Sequence, residues 1–195
     1  INNADVGSIR IEGEVQNPDN YRFQRSETLH DVIKRAGGFT EVAFPIGAIF
    51  TREKIKKQRQ EYNQILAAKL ESSILSISQI EVGNASTQIS ALLSLANRVR
   101  NIEVSGRMSV NAALKDKSVP VFLEDNDLIV IPKRPSHVSV IGAVGKETVA
   151  MYKSEKIVHD YLNDAGGLTS NANYKLSYIL LPNGESQPIK KNTIV

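Results

Sequence analysis

Two stretches of this chain match each other at one constant offset, without a gap, over about 40 residues, and that repeat confines the fold to a unit that can be built twice in tandem. The first stretch opens with Ile9-Arg10-Ile11-Glu12-Gly13-Glu14-Val15 and the second with Val138-Ser139-Val140-Ile141-Gly142-Ala143-Val144. Both alternate and are β-branched, as a half-buried strand requires, and each carries its glycine at the same place, Gly13 and Gly142. Further on, the run from Leu29 to Ala36-Gly37-Gly38-Phe39-Thr40 matches the run from Val158 to Ala165-Gly166-Gly167-Leu168-Thr169. Leu29, Val32, Ile33 and Ala36 fall at i, i+3, i+4 and i+7, so a short amphipathic helix is predicted, closed by glycines that can adopt the left-handed conformation. Thr28 with Asp31 has the spacing of an N-terminal capping box, whereas the second copy has Ile157 there and needs a different cap. His30 and His159 share one place in the two copies, in the first turn of that helix.

A further strand follows each helix, Gly47–Thr51 and Ser177–Leu181, and there the copies diverge. In the second, Pro182-Asn183-Gly184-Glu185 is a tight-turn signal and the chain returns through Ser186 to Ile189. In the first, a returning strand is expected only near Ile102-Glu103-Val104, and two helical patterns fill the gap. One places Ile55, Tyr62, Leu66, Leu70, Ile74 and Ile77 on a stripe; the other does so with Ile89, Leu92, Leu93, Ala96 and Val99. Val82-Gly83-Asn84 separates them, with Asn84 or Ser86 as cap. The first copy then closes with Val121-Phe122-Leu123, the turn Glu124–Asp127 and the apolar strand Leu128–Ile131, before the linker Lys133–Ser136. The expected class is α+β: two tandem β-grasp domains, 8–135 with a helical-hairpin insertion at 53–101, and 137–195. The pattern Asn192–Val195 matches Asp127–Val130, so the second domain is expected to stop inside its last strand.

Composition narrows the chemistry. The 195 residues suit two small domains, and the absence of cysteine removes thiolate nucleophiles, Cys-ligated zinc and iron–sulfur sites. A net charge of +3 falls short of the dense basic stripe that a phosphate backbone demands, so no nucleic-acid partner is expected. No apolar run reaches the roughly 18 residues of a membrane span. Gly106-Arg107-Met108-Ser109-Val110 lacks the flanking glycines of a nucleophile elbow, Gly142-Ala143-Val144-Gly145 is not a dinucleotide fingerprint, and Glu124-Asp125-Asn126-Asp127 lacks the central glycine and distal glutamate of a calcium loop. The expectation is no enzyme, no metal and no cofactor.

Gly13-Glu14-Val15-Gln16-Asn17-Pro18, then Tyr21, Thr28-Leu29, Ala36-Gly37-Gly38 and the strand ending in Arg52 resemble the soluble-ligand-binding β-grasp (SLBB) domain of bacterial polysaccharide export proteins, the Wza-like outer-membrane exporters. Leu123 to Pro135 is similar to the usual ending of that domain, with Asn126 where glycine is commoner. The second copy departs at Gly145-Lys146-Glu147, where the Asn-Pro turn would stand, and is restored by Gly166-Gly167 and Asn183-Gly184. The resemblance implies a non-enzymatic periplasmic component of capsular or exopolysaccharide export, held at the outer membrane through parts of a longer parent protein, its domains stacking into a ring-shaped channel. Implied partners are copies of itself, other export components and the polysaccharide. The alternative is a soluble glycan- or ligand-binding module without a channel role. The family's export-signature domain, lipoprotein cysteine and membrane helix do not occur in this sequence, so a middle portion of a longer protein is expected.

The residues that suggest contact with an acidic glycan or partner begin the insertion. Arg52, Lys54, Lys56, Lys57 and Arg59 face only Glu53 and Glu61 nearby, and Tyr62 offers an apolar face on which a sugar can stack. The competing reading is a solvated helix face carrying i,i+4 pairs such as Glu53 with Lys57.

Overall fold

The computed structural model describes residues 5–78, 86–110, 112 and 120–189. The alternating first stretch forms β1 (Asp5–Gly13), which turns back as β2 (Asp19–Gln24). Helix α1 (Leu29–Arg35) opens with the predicted capping box: the Asp31 amide donates to Thr28 Oγ1 at 3.4 Å and the Thr28 amide donates to Asp31 Oδ2 at 2.9 Å. A 3-10 turn (Pro45–Gly47) leads to β3 (Ile49–Thr51), shorter than the Gly47–Thr51 strand expected because Pro45 starts a turn that uses Gly47. Two helices follow, α2 (Glu53–Ser78) and α3 (Ser86–Arg100), then β4 (Arg107–Ser109) and β5 (Asp127–Ile131).

These strands make one five-stranded mixed sheet in the order β2-β1-β5-β3-β4, in which β1 and β5 run parallel and every other pair is antiparallel. Alternate residues of β1 and β5 point to one face, and the isoleucines among them are fully buried: Ile9, Ile11, Ile129 and Ile131 pack with Phe23, Phe50 and the apolar stripe of α1. The returning strand is not the expected Ile102-Glu103-Val104. Those residues run irregularly beside Lys56 and Gln60 of α2, and only after Gly106, at φ 62°, does the chain enter the ladder, with Arg107 opposite Thr51. The separator Val82-Gly83-Asn84 lies outside the described residues.

As far as Leu180 the second stretch follows the first at one fixed interval, without the helical hairpin and, among the described residues, without a counterpart of β5. It runs β6 (His137–Val140), β7 (Thr148–Met151), α4 (Val158–Asp164), a 3-10 turn (Tyr174–Leu176), β8 (Tyr178–Leu180) and β9 (Ser186–Pro188). Ile157 has no oxygen with which to cap α4, so only the return half of the box survives, with the Ile157 amide donating to Asp160 Oδ2 at 3.0 Å. The predicted tight turn is present: Gly184 sits at φ 85°, and Leu181 and Glu185 close the hairpin through an amide-to-carbonyl bond of 2.9 Å. The pattern Asn192–Val195 lies outside the described residues. Among the described residues β6 pairs only with β7 and β8 only with β9, so the second repeat contains two separate two-stranded sheets. Its small core gathers Val140, Tyr161 and Ala165, distinct from the first. The β8–β9 turn reaches the first repeat, where Asn183 Nδ2 donates to the Ile46 carbonyl at 3.4 Å. The whole is an α+β molecule, and no helix among the described residues is long and apolar enough to cross a membrane.

Candidate functional site

Arg52 follows β3 directly and its side chain turns inward, at 12% exposure, toward a fully buried carboxylate. Its Nε and Nη2 grip Asp127 Oδ1 and Oδ2 at 2.9 and 2.8 Å in a two-pronged pair. The remaining reach is used on Glu124 Oε1 at 3.1 Å and the Phe122 carbonyl at 2.8 Å, with the guanidinium 5.3 Å from the Phe50 ring centroid. Planar bidentate geometry favours arginine here over lysine. Hydrogen bonding to Asp127 raises the guanidinium pKa above its ordinary value, and the charges of Asp127 and Glu124 add to it. Arg52 therefore clamps the root of the helical hairpin to the turn before β5. The Lys54 ammonium stands 3.8 Å from Glu124, at the rim of that clamp.

The rest of the basic run does not make one patch. Residues three apart share a helix face, so Lys54 and Lys57 stand together on one side of α2, while Lys56, Arg59 and Tyr62 follow one another along another. Lys56 is half-buried beside Gly106 and, with Gln60, Arg100 and Glu103, lines a small cleft of about 350 Å³. Lys57 and Arg59 are exposed, and among the described residues neither joins an ion pair, so the Glu53–Lys57 pair is not formed. Tyr62 is 63% exposed and leaves the predicted stripe; Ile74 and Ala96 of the predicted stripes are buried as expected, and Ala67, off the stripe, is buried with them, small or β-branched residues that let α2 and α3 approach. Arg100 locks it with two bonds to the Glu71 carboxylate, at 2.8 and 2.7 Å.

The glycine and Asn-Pro positions form a latch between the end of β1 and the end of α1. Gly13, at φ 82°, lies so close to β5 that an added Cβ would stand 2.1 Å from the Ile131 carbonyl oxygen. Past it, the Gln16 and Asn17 amides donate to the carbonyls of Gly38 and Ala36 at 3.0 and 2.9 Å. Those carbonyls lie at the end of α1, where helix carbonyls lack intrahelical partners, and Gly37 and Gly38 expose them by turning left-handed at φ 85° and 81°. Asn17 Nδ2 adds a bond to the Ala36 carbonyl at 3.3 Å, and the Tyr21 hydroxyl donates to the Asn17 carbonyl at 2.6 Å; Pro18 makes the turn into β2. In the second repeat Gly142, Gly166 and Gly167 are again left-handed, and Gly145 and Lys146 supply the same amide bonds to Gly167 and Ala165 at 2.9 and 2.8 Å. The backbone half of the latch survives where the asparagine side chain is lost.

The feature that periodicity missed is a cleft of about 980 Å³ in the second repeat, between β6 and β8 and floored by α4. Its signal was in the sequence, in a comparison of the two copies position by position. Ile141 stands where the first copy has Glu12, and Leu181 where it has Arg52, so the second unit is more apolar than its twin at places where the twin is polar.

A family model described as the SLBB domain matches residues 8–44, from β1 through α1 and the latch to the residue before the 3-10 turn. No curated protein matches the chain.

Proposed function

We propose that this chain is a non-enzymatic component of a machinery that exports capsular or exopolysaccharide. In this reading residues 8–135 and 137–195 are tandem β-grasp domains of a Wza-like protein, working in the periplasm at the outer membrane. They associate with copies of themselves and with other export components around the path of the polymer. The observation that carries the reading is the SLBB match over residues 8–44, because the latch it covers is rebuilt by the backbone of the second repeat. That rebuilding supports two units of one binding type in tandem, an arrangement suited to stacking. The exposed cations Lys54, Lys57 and Arg59, with Tyr62 beside Arg59, supply charge and an aromatic face for an acidic glycan; Arg52 serves the reading only as the clamp that orients them.

Sedimentation over a wide range of protein concentration tests it, together with titration of an acidic polysaccharide at low and high salt. Concentration-dependent assembly and polysaccharide binding that weakens with salt are expected. A strictly monomeric protein that still binds glycan would favour the soluble binding module, and a monomer that binds none would overturn both.

A further inference from the structure

Among the described residues the sheet of the first repeat ends at β2, and an edge strand turns a row of backbone donors and acceptors outward. The Ser8 carbonyl accepts from the Asn126 amide and the Glu14 amide donates to the Ile131 carbonyl, so even-numbered residues along β1 bond toward β5 and odd-numbered ones toward β2. Ile9 lies opposite Tyr21, which leaves Asn20, Arg22 and Gln24 with their backbone groups directed away from the sheet. Side chains meet those groups. Arg35 Nη2, from the end of α1, donates to the Arg22 carbonyl at 2.6 Å; the Gln24 amide donates to Glu27 Oε2 at 2.7 Å and the Asn20 amide to Asp19 Oδ1 at 2.7 Å. Arg35 and Glu27 also hold each other, Nε to Oε1 at 3.2 Å, and the guanidinium lies 5.9 Å from the Tyr21 ring centroid. A charged lid therefore lies along the end of the strand.

The second repeat reaches the same result with other residues. At the places of Glu27 and Arg35 stand Lys156 and Asp164, again paired but with their charges exchanged. A carboxylate cannot donate to a carbonyl, yet the counterparts of the Arg22 carbonyl and the Gln24 amide are still met. Tyr161, where the first copy has Val32, accepts from the Lys153 amide at 2.8 Å and sets its hydroxyl 3.5 Å from the Met151 carbonyl. The same two edge groups are capped in both repeats by chemically unrelated side chains, so the shared feature is the capping of the edge and not one particular ion pair.

We propose that Glu27 and Arg35 guard the β2 edge against strand addition, and that the partner they turn away is the same edge of a second copy of this chain. Two copies of β2 can lie antiparallel about a two-fold axis, each offering the other its outward row, and such a contact joins two sheets into one. With the guard in place an incoming strand must first displace charge-assisted bonds, which are stronger than the neutral ladder bonds it offers, and must strip water from the separated charges. Assembly of the protein is thereby confined to other surfaces. The inference rests on contacts within the repeats and not on the polysaccharide reading.

The test uses the full chain with Glu27→Ala and Arg35→Ala together, and separately with Glu27→Lys and Arg35→Asp, which keeps an ion pair as in the second repeat but leaves the Gln24 amide without its acceptor. Sedimentation and backbone amide exchange, read by mass spectrometry, are followed over a range of protein concentration. Both variants should keep a cooperative melt and self-associate at least about tenfold more tightly than the wild type. As concentration rises, exchange across Asn20–Gln24 should slow in the variants, while exchange across Arg107–Ser109 at the opposite edge should not. Adding Gln24→Pro, which removes an outward amide and leaves the inward ladder alone, should return the association to the wild-type level. Association no tighter than wild type, protection that falls elsewhere than β2, or indifference to the proline would overturn the proposal. So would loss of the cooperative melt in both variants, which would make the pair a brace of the fold and not a guard of its edge.

Discussion

Gly37 and Gly166 hold the same place in the two repeats, yet a methyl group would meet different surroundings at each. At Gly37 an added Cβ would lie 2.8 Å from Gln16 Cβ and 3.0 Å from Asn17 Nδ2, on top of a φ of 85°. At Gly166 the nearest atom would be the Gly145 Cα at an ordinary 3.5 Å, leaving only the backbone strain of φ 79°. Gly166→Ala should therefore cost about 1 kcal/mol, the left-handed penalty alone, while Gly37→Ala should cost clearly more because the latch must also shift. Chemical denaturation of both, with exposed Lys153→Ala as control, checks the ranking; equal losses would mean that the latch is not tight. The glycine-closed helix was legible because left-handed closure leaves a direct mark on residue type. The latch was not, since amide-to-carbonyl bonds between distant residues have no compositional signature. Asn126 makes the same point in reverse: it is left-handed at φ 64°, where the resemblance had placed glycine as the commoner residue. The capping box adds a pH dependence. Hydrogen bonds from the Thr28 side chain, then from its amide, hold the Asp31 carboxyl below its ordinary value, with His30 and Lys34 contributing. A lowered folded-state pKa stabilises above the unfolded value near 3.8, and that contribution is lost as pH falls through the folded value. Thr28→Ala should thus cost about 1 kcal/mol at pH 7 and progressively less as pH drops below about 4, measured as the gap between the two denaturation midpoints.

At the level of elements, the helical hairpin is an addition to a sheet that has its own reasons to form. Thr51 and Arg107 are cross-strand partners, so the hairpin leaves and re-enters at adjacent points of the ladder. Replacing residues 53–105 with an Asn-Gly turn should leave the sheet folded, because loop length enters the closure cost only logarithmically and the strand ends are already paired. Circular dichroism should show the helical signal fall while the cooperative melt persists; loss of the melt would show that the hairpin is part of the fold. The replacement must retain Arg52. Removing that guanidinium leaves Asp127 charged and fully buried, so Arg52→Ala should lower stability by about 3 kcal/mol or more, and Arg52→Lys should recover only part of it for want of the bidentate fork. The helices were legible from their period, as was their separation into two. Their seam was less so: Ile74 and Ala96 lay on the expected stripes and are buried, but the α2 stripe also took in Tyr62, which stands outward, and left out the small Ala67, which close approach buries. Arg52 was misjudged for a related reason, since a cation next to other cations in sequence reads as part of their patch until the fold turns it toward a carboxylate 75 residues away.

For the whole molecule, the reach of the hairpin is what calls for a partner. Helix α2 has 26 residues, about 39 Å at 1.5 Å per residue, well beyond the span of a sheet whose strands have nine residues at most. Its outer side carries Tyr62, Ile65 and Leu75 exposed at 56% or more, and α3 adds Leu92, Leu93 and Leu95. Scattered exposed leucines are ordinary on any surface, but Tyr62 and Ile65 stand on the side of α2 turned from the seam, and Leu92 and Leu93 flank Ala96 at the edge of it, so the arm carries apolar surface that its own seam leaves uncovered. If the protein associates with itself as proposed, this arm is the element with both the length and the surface to reach a neighbouring protomer, and the turn-replaced variant separates that role from folding. Wild-type protein should then show a weight-average mass that rises with concentration, and the variant should stay at its monomer mass over the same range while keeping its cooperative melt. Leu75→Glu with Leu93→Glu, in the intact hairpin, should weaken the association at least about tenfold, as expected when charge is placed in a buried apolar contact. Undiminished assembly in both proteins would take the arm out of the interface and move attention to the exposed sheet face of the second repeat, where Ile141, Met151 and Leu180 stand open.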